Sequence, residues 1–504
     1  MPLTNYCRQM VNEGISMMDD KIVEIQAYKV PSSIQVTDIR EELHETEKGV
    51  FLLKYPILSA RKIAEISQTV QENRANYLAK LSINDIVAKI DQAVLKWLNP
   101  DYQLRHYAEI LIPRITGYDS EMVRLELKRY LRMFRKKELM RFLDEEFDQP
   151  AMLDEFRPRK TGGMSRAYGP NSIFHVFSGN VPGVQIWSLI MGLLLKSANI
   201  GKTSTAEPLF PVLFVESLAE VDPQLADSIT ILPWKGGTKE LEEQAISAAE
   251  AIIVYGSNTT VEKVRQLVPF GKKFLTYGHK ISLALIGKEA LTADHYFDTI
   301  HKLAEDVSVY DQQSCLSPQS VLVEEGGAVN PNQFAQMLAA ELERYHKKRP
   351  RAKLSAEEAM SIQKVRNRYE LESLSGEKVS VFASQNDSAW TVIYHDEAGM
   401  DASPLNRTIH VFKSCRLEED IPKIVVYKDY LQSCGLAASP FRLFQIAEIL
   451  GSLGVNRISP IGEMNRTKPG WHHDGGFNLL DLVRFTDIER NLEQDLERFD
   501  PDVE

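Results

Sequence analysis

Strand patterns and helix patterns alternate from residue 173 to residue 277. Short β-branched runs such as IFHVF, ITILPW, AIIVY and KFLTY are separated by helical stretches such as VQIWSLIMGLLLKS and KELEEQAISAAE. This spacing predicts βαβ units, whose strands lie parallel because each helix crosses back over the sheet. The sequence therefore predicts an α/β fold with a doubly wound sheet of the kind that binds dinucleotides.

A second α/β pattern begins after Gly278, with the strand ISLALIG, the loop YDQQSCLSPQ, the strand SVLVEE and a long helix from Asn332. The region before the first pattern shows three- and four-residue apolar spacing and ends at a glycine-rich joint near residue 162. We therefore expect a helical N-terminal region over 1–160, a dinucleotide-binding domain over 161–277, a second α/β domain over 278–435 and a C-terminal segment over 436–504.

Composition excludes several classes of protein. The formal net charge of -11 argues against a chain that binds phosphate backbones, so nucleic acid is not expected as a partner. The cysteines Cys7, Cys315, Cys415 and Cys434 form no CxxC pair, which predicts neither a disulfide framework nor a structural zinc site and fits a reducing, cytoplasmic compartment. No signal peptide is recognised at the start. The apolar stretch Val181 to Leu195 is too short to span a membrane and predicts a buried helix.

No GxGxxG fingerprint follows the first strand, so another element has to hold the phosphates of a dinucleotide. The segment AIIVYGSNTTVEKV offers a strand, a tight turn at Gly256 and Ser257, and a helix whose free N–H groups can receive a pyrophosphate. An ordinary strand-to-helix turn with Ser257 as helix cap is the alternative.

Four more segments surround that turn in a fixed order: Asn180-Val-Pro-Gly before a helix, Asn199-Ile-Gly-Lys-Thr-Ser-Thr, Tyr277-Gly-His-Lys, and Gln312-Gln-Ser-Cys. With them the sequence resembles the aldehyde dehydrogenase superfamily over about residues 172–428. The run GVNRISPIGEMNRTKPGWHHDGGFNLLDLVRF extends the likeness to about residue 490 and resembles the LuxC-type acyl-thioester reductases of bacterial bioluminescence. The implied fold is aldehyde-dehydrogenase-like, with residues 278–435 as the catalytic domain and 436–504 closing the substrate site and making oligomer contacts.

The resemblance assigns a role to each matching position. Cys315 matches the nucleophile, and Asn180 matches the side chain that helps to stabilise an oxyanion. Lys202 matches the residue that binds the adenine-side ribose, and Gly256 with Ser257 match the pyrophosphate turn. Many relatives carry Glu where this chain has Thr205. Because an acid there would repel a 2′-phosphate, Thr205 favours NADPH, although a threonine in a strand is also compatible with NADH.

Departures from the superfamily pattern indicate the reaction type. The position of the glutamate that activates water in hydrolytic members is occupied by Thr276, so hydrolysis of an acyl-cysteine is expected to be slow. His279 is a candidate proton donor, with a purely structural histidine as the alternative. His472, His473 and Asp474 are not expected to form a metal site, because neighbouring side chains of an extended segment point apart; a substrate-side or interface loop is preferred.

The resemblance implies a cytoplasmic, homo-oligomeric NADPH-dependent reductase that converts a long-chain fatty acyl-CoA or acyl-protein thioester to the aldehyde through an acyl-cysteine. An acyl-protein synthetase is the implied partner. Three alternatives remain open. The first is an aldehyde dehydrogenase that works oxidatively, the second an acyl-phosphate reductase, and the third a non-catalytic acyl-carrying subunit.

Overall fold

A computed structural model describes residues 22–385, 387–500 and 502. Cys7 and the segment searched for a signal peptide lie outside these residues. Within the described part, the chain forms a helical layer, a parallel sheet of five strands, a mostly parallel sheet of seven strands and two small antiparallel or mixed sheets. The predicted α/β architecture with a doubly wound parallel sheet is confirmed.

The N-terminal region combines a small sheet with a helical layer. Its elements are β1 (Val23–Gln26), β2 (Ile39–Thr46), β3 (Gly49–Pro56), α1 (Ala60–Asn76), α2 (Ile83–Leu98), α3 (Gln103–Thr116), α4 (Ser120–Leu131) and α5 (Lys136–Glu146). β2 and β3 pair antiparallel, and β1 adds parallel to β3. The expectation of a helical region over 1–160 therefore needs a correction, because charged side chains on the exposed β2 hide its strand character.

The first parallel sheet has the strand order β10-β9-β6-β7-β8. Its elements are β6 (Ser172–Val176), α6 (Val184–Leu194), β7 (Ala198–Thr203), α7 (Phe210–Ala219), α8 (Pro223–Ala226), β8 (Ile229–Pro233), α9 (Lys239–Ala248), β9 (Ala251–Tyr255), α10 (Asn258–Arg265) and β10 (Lys273–Tyr277). The chain builds β6 to β8 outward and then returns to the other side of β6, which makes the sheet doubly wound. Its crevice lies where the strand order reverses, between β6 and β9.

Burial explains the apolar runs of this sheet. β6, β7 and β9 are buried along their whole length because helices cover both faces of a parallel sheet. Every residue of α6 from Gln185 to Leu194 is buried, as expected for the apolar stretch at 181–195. Among the described residues, no helix combines the length and the apolar character that crossing a bilayer requires.

The second sheet has the order β13-β14-β15-β12-β11-β16-β17, parallel except for the β13–β14 pair. Its elements are β11 (Ile281–Ile286), α11 (Tyr296–Ser308), β12 (Pro318–Glu324), α12 (Pro331–Lys348), α13 (Ala356–Leu374), β13 (Val379–Ala383), β14 (Thr391–His395), β15 (Thr408–Ser414), α14 (Leu417–Asp420), β16 (Leu431–Ala437), α15 (Leu443–Ser452) and β17 (Arg457–Pro460). The predicted boundary after residue 435 falls inside β16, and β17 lies beyond it, so this sheet extends further than expected.

The C-terminal segment returns to the start of the first α/β unit. β18 (Arg484–Ile488) pairs antiparallel with β5 (Met164–Tyr168), which also pairs with β4 (Arg157–Pro158); α16 (Leu492–Glu497) follows. Between β17 and β18 the chain crosses the mouth of the crevice. This path brings residues 463–474 to the site described next.

Candidate active site

A cavity of 870 Å³ lies at the carboxyl ends of all five strands of the first sheet. The segments that follow β6 to β10 each contribute lining residues, as expected for the crevice of a doubly wound sheet. The second sheet, α4 and residues 463–474 close the other sides. All six residues assigned from the sequence line this one cavity: Cys315, Asn180, Lys202, Thr205, Gly256 and Ser257.

Cys315 lies in the loop that leads into β12, and its side chain is half-buried in the cavity wall. Ser282 Oγ donates to the Cys315 carbonyl at 2.6 Å and ties the loop to β11. Just before it, Tyr310, Asp311 and Gln312 have φ values of 52°, 51° and 67°. Non-glycine residues adopt this left-handed conformation at a cost, so the surrounding contacts have to stabilise the loop.

A second left-handed segment, residues 405–407, lies against this loop. Gln312 Nε2 donates to the Thr408 carbonyl at 2.8 Å, and Gln312 Oε1 accepts from the Thr408 N–H at 2.9 Å. Arg407 Nη2 lies 2.6 Å from Asp311 Oδ1, with exposed side-chain fractions of 1% and 3%. These buried contacts fix the backbone that presents Cys315.

Asn180 follows β6 and reaches the same loop from the first sheet. Its Nδ2 donates to the Gln313 carbonyl at 2.8 Å, and its own carbonyl accepts from the Tyr118 hydroxyl at 2.6 Å. An amide nitrogen carries two hydrogens, so one donor remains available to a ligand beside Cys315.

Lys202 projects from the end of β7 beside Trp234, with its Nζ 5.8 Å from the indole ring centre. It is buried, and burial lowers the pKa of its ammonium group. Thr203 Oγ1 and Trp234 Nε1 are also buried here and have no hydrogen-bond partner within the described residues. Buried polar atoms without partners are uncommon, so this corner of the cavity suits a polar ligand.

Thr205 lies in the loop after β7 rather than in the strand, and it is exposed at the cavity rim. Lys235, which follows β8, also lines the cavity and is exposed. Trp234 and Lys235 belong to no recognised motif, and their position directly after a strand of the parallel sheet is the signal that marks them.

Gly256 and Ser257 form the turn between β9 and α10. Ser257 Oγ accepts from the Thr260 N–H at 3.3 Å, so the capping role considered for Ser257 is present. The turn also lines the cavity with the first residues of the helix behind it, which is the geometry that a pyrophosphate requires. The two interpretations are therefore compatible.

Thr276 does not line the cavity, whereas its neighbour Tyr277 does. Tyr277 stacks on His473 of the C-terminal segment, with ring centres 4.0 Å apart. The next residue, Asp474, places a carboxylate in the cavity and accepts from Gln432 Nε2 at 2.5 Å. The position expected to carry the water-activating glutamate thus lies outside the cavity lining, whereas the C-terminal segment places the Asp474 carboxylate in the lining.

Burial and the nearby Asp474 raise the pKa of the Cys315 thiol to about 12, while Gln432 and Arg457 act in the opposite direction. Burial also raises the pKa of Asp474 and lowers the pKa of His473 to about 3. His279, the proton donor considered above, is exposed at the cavity edge.

Of the His, Cys, Asp and Glu side chains that the structure describes, only His395, Asp401 and His410 group closely enough to hold a metal ion. They are not among the residues that line the cavity. His395 Nε2 and His410 Nδ1 share a hydrogen bond of 3.1 Å, and Asp401 accepts from the Tyr369 hydroxyl at 2.5 Å. This arrangement is typical of two histidines that hydrogen-bond to each other on the face of a sheet.

A family model described as Acyl-CoA reductase (LuxC) matches residues 78–485, which include both sheets and the complete cavity lining. The chain belongs to this family. It is an enzyme of the acyl-CoA reductase and aldehyde dehydrogenase superfamily, and hence an oxidoreductase. The resemblance identified from the sequence motifs is therefore confirmed.

Relatives within the LuxC family match over most of their length. A long-chain acyl-protein thioester reductase of Vibrio harveyi is 26% identical over 426 residues, covering 82% of this chain and 84% of the relative. The protein of the same name from Photorhabdus luminescens is 24% identical over 493 residues, covering 95% and 94%.

Solved structures share the fold of this LuxC-family chain at low identity. Aldehyde dehydrogenase 21 from Physcomitrella patens superposes with a TM-score of 0.67 at 12% identity, covering 92% of this chain and 96% of that one. An NADP-dependent glyceraldehyde-3-phosphate dehydrogenase from Bacillus halodurans, solved with NADP, gives 0.66 at 14% identity and coverages of 90% and 96%. These likenesses establish the aldehyde-dehydrogenase-like fold.

Proposed function

We propose that this enzyme reduces long-chain fatty acyl thioesters, acyl-CoA or acyl-protein, to aldehydes with NADPH through an acyl group on Cys315. The observation that carries the proposal is the half-buried Cys315 thiol in the wall of a cavity that also holds Asn180 and Lys202. The names of the relatives, long-chain acyl-protein thioester reductases, supply the substrate class.

Cys315 attacks the thioester carbonyl, and the negative charge that develops on oxygen needs hydrogen-bond donors. The second Nδ2 hydrogen of Asn180 and the backbone N–H of Cys315 are the donors that we assign. Asn180 is held at the nucleophile loop through Gln313, so its donor needs little reorganisation when charge develops. Such a preorganised donor typically contributes about 10²–10³ in rate.

The corner around Lys202 fits a nicotinamide dinucleotide. The Lys202 ammonium has no ion-pair partner among the described residues, and the unpaired Thr203 Oγ1 and Trp234 Nε1 offer further polar contacts. Gly256 and Ser257 would receive the pyrophosphate at the start of α10. The bound cofactor supplies the hydride that turns the acyl-cysteine into an aldehyde.

Two features of the rim favour NADPH over NADH. Thr205 offers a hydroxyl where an acidic side chain would repel a 2′-phosphate. Lys235 is exposed at the same cavity and provides a positive charge for that phosphate.

The other half of the cavity fits an acyl chain. Apolar side chains from the helical layer, the loop after β6, α6 and the C-terminal segment line it: Tyr130, Met133, Val181, Val184, Trp187 and Trp471. A lining of this kind favours a long alkyl chain, because each buried methylene group contributes about 0.8 kcal/mol. We further propose a homo-oligomer that receives its acyl groups from an acyl-protein synthetase.

Oxidation of an aldehyde is the second candidate function, because the Asp474 carboxylate in the cavity could activate water against an acyl-cysteine. One experiment separates the two directions. NADPH oxidation is followed with acyl-CoAs of graded chain length, and the product is identified by mass spectrometry, with Cys315→Ala as control. Aldehyde formation that requires Cys315 supports the proposal. Aldehyde oxidation without any thioester reduction, or reduction by Cys315→Ala, would overturn it.

A further inference from the structure

The chain between β17 and β18 forms a turn that lines the same cavity as Cys315. His473 stacks on Tyr277, with ring centres 4.0 Å apart, and packs at a tilt against Trp471, with ring centres 4.6 Å apart. Tyr277 in turn stacks on Tyr255 of the adjacent strand at 4.7 Å. This aromatic stack fixes the turn against the ends of β9 and β10.

Asp474 follows His473 with a φ of 53°, and this left-handed backbone turns its carboxylate into the cavity. Oδ1 accepts from Gln432 Nε2 at 2.5 Å, which links the turn to β16 of the second sheet. Gln432 is 1% exposed, and its Oε1 is buried without a hydrogen-bond partner in the described part of the chain. The side-chain amide of Gln432 is therefore held in place by the protein groups around it and not by solvent.

Gln432 and Asp474 share the cavity wall with Cys315. Gln432 acts to lower the pKa of the Cys315 thiol, whereas the charge of Asp474 acts to raise it, so both side chains lie close enough to influence the thiol. A thiol with a raised pKa is a poor nucleophile at neutral pH, because the thiolate is the reactive form. The site thus needs a group that removes the proton during attack.

We propose that Asp474, held by the Gln432 amide, accepts the proton of the Cys315 thiol during attack on a thioester and then delivers it to the departing thiol. The inference rests on the proposed function. In the step, the S–H bond of Cys315 breaks, an O–H bond forms on Asp474, and the new S–C bond replaces the S–C bond of the substrate thioester. The leaving thiolate takes the proton back from Asp474, so no proton is gained or lost.

Other charged or titratable groups face this pair. Lys280 acts on Asp474 and His473, and Arg457 acts on Cys315. Tyr255 and Tyr277 lie against the same turn, but burial raises the pKa of each hydroxyl far above neutrality. His473 stays neutral because burial lowers its pKa to about 3. Near neutral pH, Asp474 is the group of this set that is able to take up a proton.

The test uses the full-length enzyme and measures alkylation of Cys315 by iodoacetamide between pH 6 and 10, located by peptide mass mapping. Asp474→Asn keeps the side-chain size, and asparagine tolerates the left-handed backbone. Asp481→Asn is the matched control, because Asp481 is an exposed carboxylate in the same segment. We expect Asp474→Asn to slow alkylation about 10²-fold at pH 7, with the difference shrinking towards pH 10 as hydroxide takes the proton instead.

Alkylation of Asp474→Asn at or above the wild-type rate at pH 7 would overturn the inference, since the carboxylate would then only repel the thiolate. If Asp474→Asn does not fold, Gln432→Leu removes the hydrogen bond while keeping the carboxylate and should slow alkylation in the same direction. The assay needs neither thioester nor cofactor. Reduction that persists in Cys315→Ala would therefore refute the proposed function, whereas alkylation of Asp474→Asn at or above the wild-type rate would refute the proton assignment and leave the proposed function standing.

Discussion

The buried ion pair between Arg407 and Asp311 makes a quantitative prediction about the nucleophile loop. Arg407 donates to Asp311 Oδ1 through Nε at 2.9 Å and lies within 2.6 Å through Nη2. Among the described residues, the Ala352 N–H also donates a hydrogen bond to Asp311, at 2.9 Å, and this bond would remain in Arg407→Met. Leaving a charge buried in this way typically costs about 3–5 kcal/mol. Because the pair joins two left-handed segments, most of that loss should appear as local opening of residues 309–315 and 405–408.

Hydrogen–deuterium exchange with mass spectrometry measures this opening directly, which avoids treating a chain of several domains as a two-state system. Protected amides in those two segments should exchange at least about 10²-fold faster in Arg407→Met, since 1.36 kcal/mol corresponds to a factor of ten. The double variant Asp311→Asn/Arg407→Met removes the stranded charge and should recover a large part of the protection. Arg416→Met is the control. Its side chain is 60% exposed in a surface ion pair, so exchange should change little. An Arg407→Met protein with near-normal exchange in both segments would refute the reasoning.

Three further predictions concern the chemistry. Asn180→Ala should raise the activation free energy for acylation of Cys315 by about 2.7–4 kcal/mol, while the affinity for the cofactor stays nearly constant. Rapid-quench acylation measures the first effect and cofactor titration the second. Near-normal acylation would exclude an oxyanion role for Asn180. Thr205→Glu should shift the ratio of kcat/KM values from NADPH towards NADH, and an unchanged ratio would mean that another residue reads the 2′-phosphate. Incubation with a fatty acyl-CoA in the absence of cofactor should add one acyl group to Cys315, which intact mass and peptide mapping detect. Addition of NADPH should release this acyl group as the aldehyde. An acyl group mapped to Cys415 instead would contradict the assignment of Cys315 as the nucleophile.

The structure brings the six residues assigned by resemblance to one cavity, because each follows a strand end or belongs to the nucleophile loop. The order of strands and helices in the sequence predicts that these residues lie together, because parallel strands place their carboxyl ends at one edge of a sheet. Gln432 and Asp474 carry no such signal. They lie 42 positions apart, on a second sheet and on a turn, and are joined only by the path of the C-terminal segment.

From the sequence alone, the doubly wound sheet and the buried helix over residues 184–194 were predictable, because burial on both faces leaves continuous apolar runs. The β2–β3 hairpin was missed, since β2 exposes charged side chains whose spacing resembles that of a surface helix. Only the tertiary structure decided that Asp311 meets Arg407 and that the Asp474 carboxylate lines the same cavity as Cys315. Local patterns record which side chains are buried, whereas the pairing of distant side chains depends on how the sheets and the returning C-terminal segment pack.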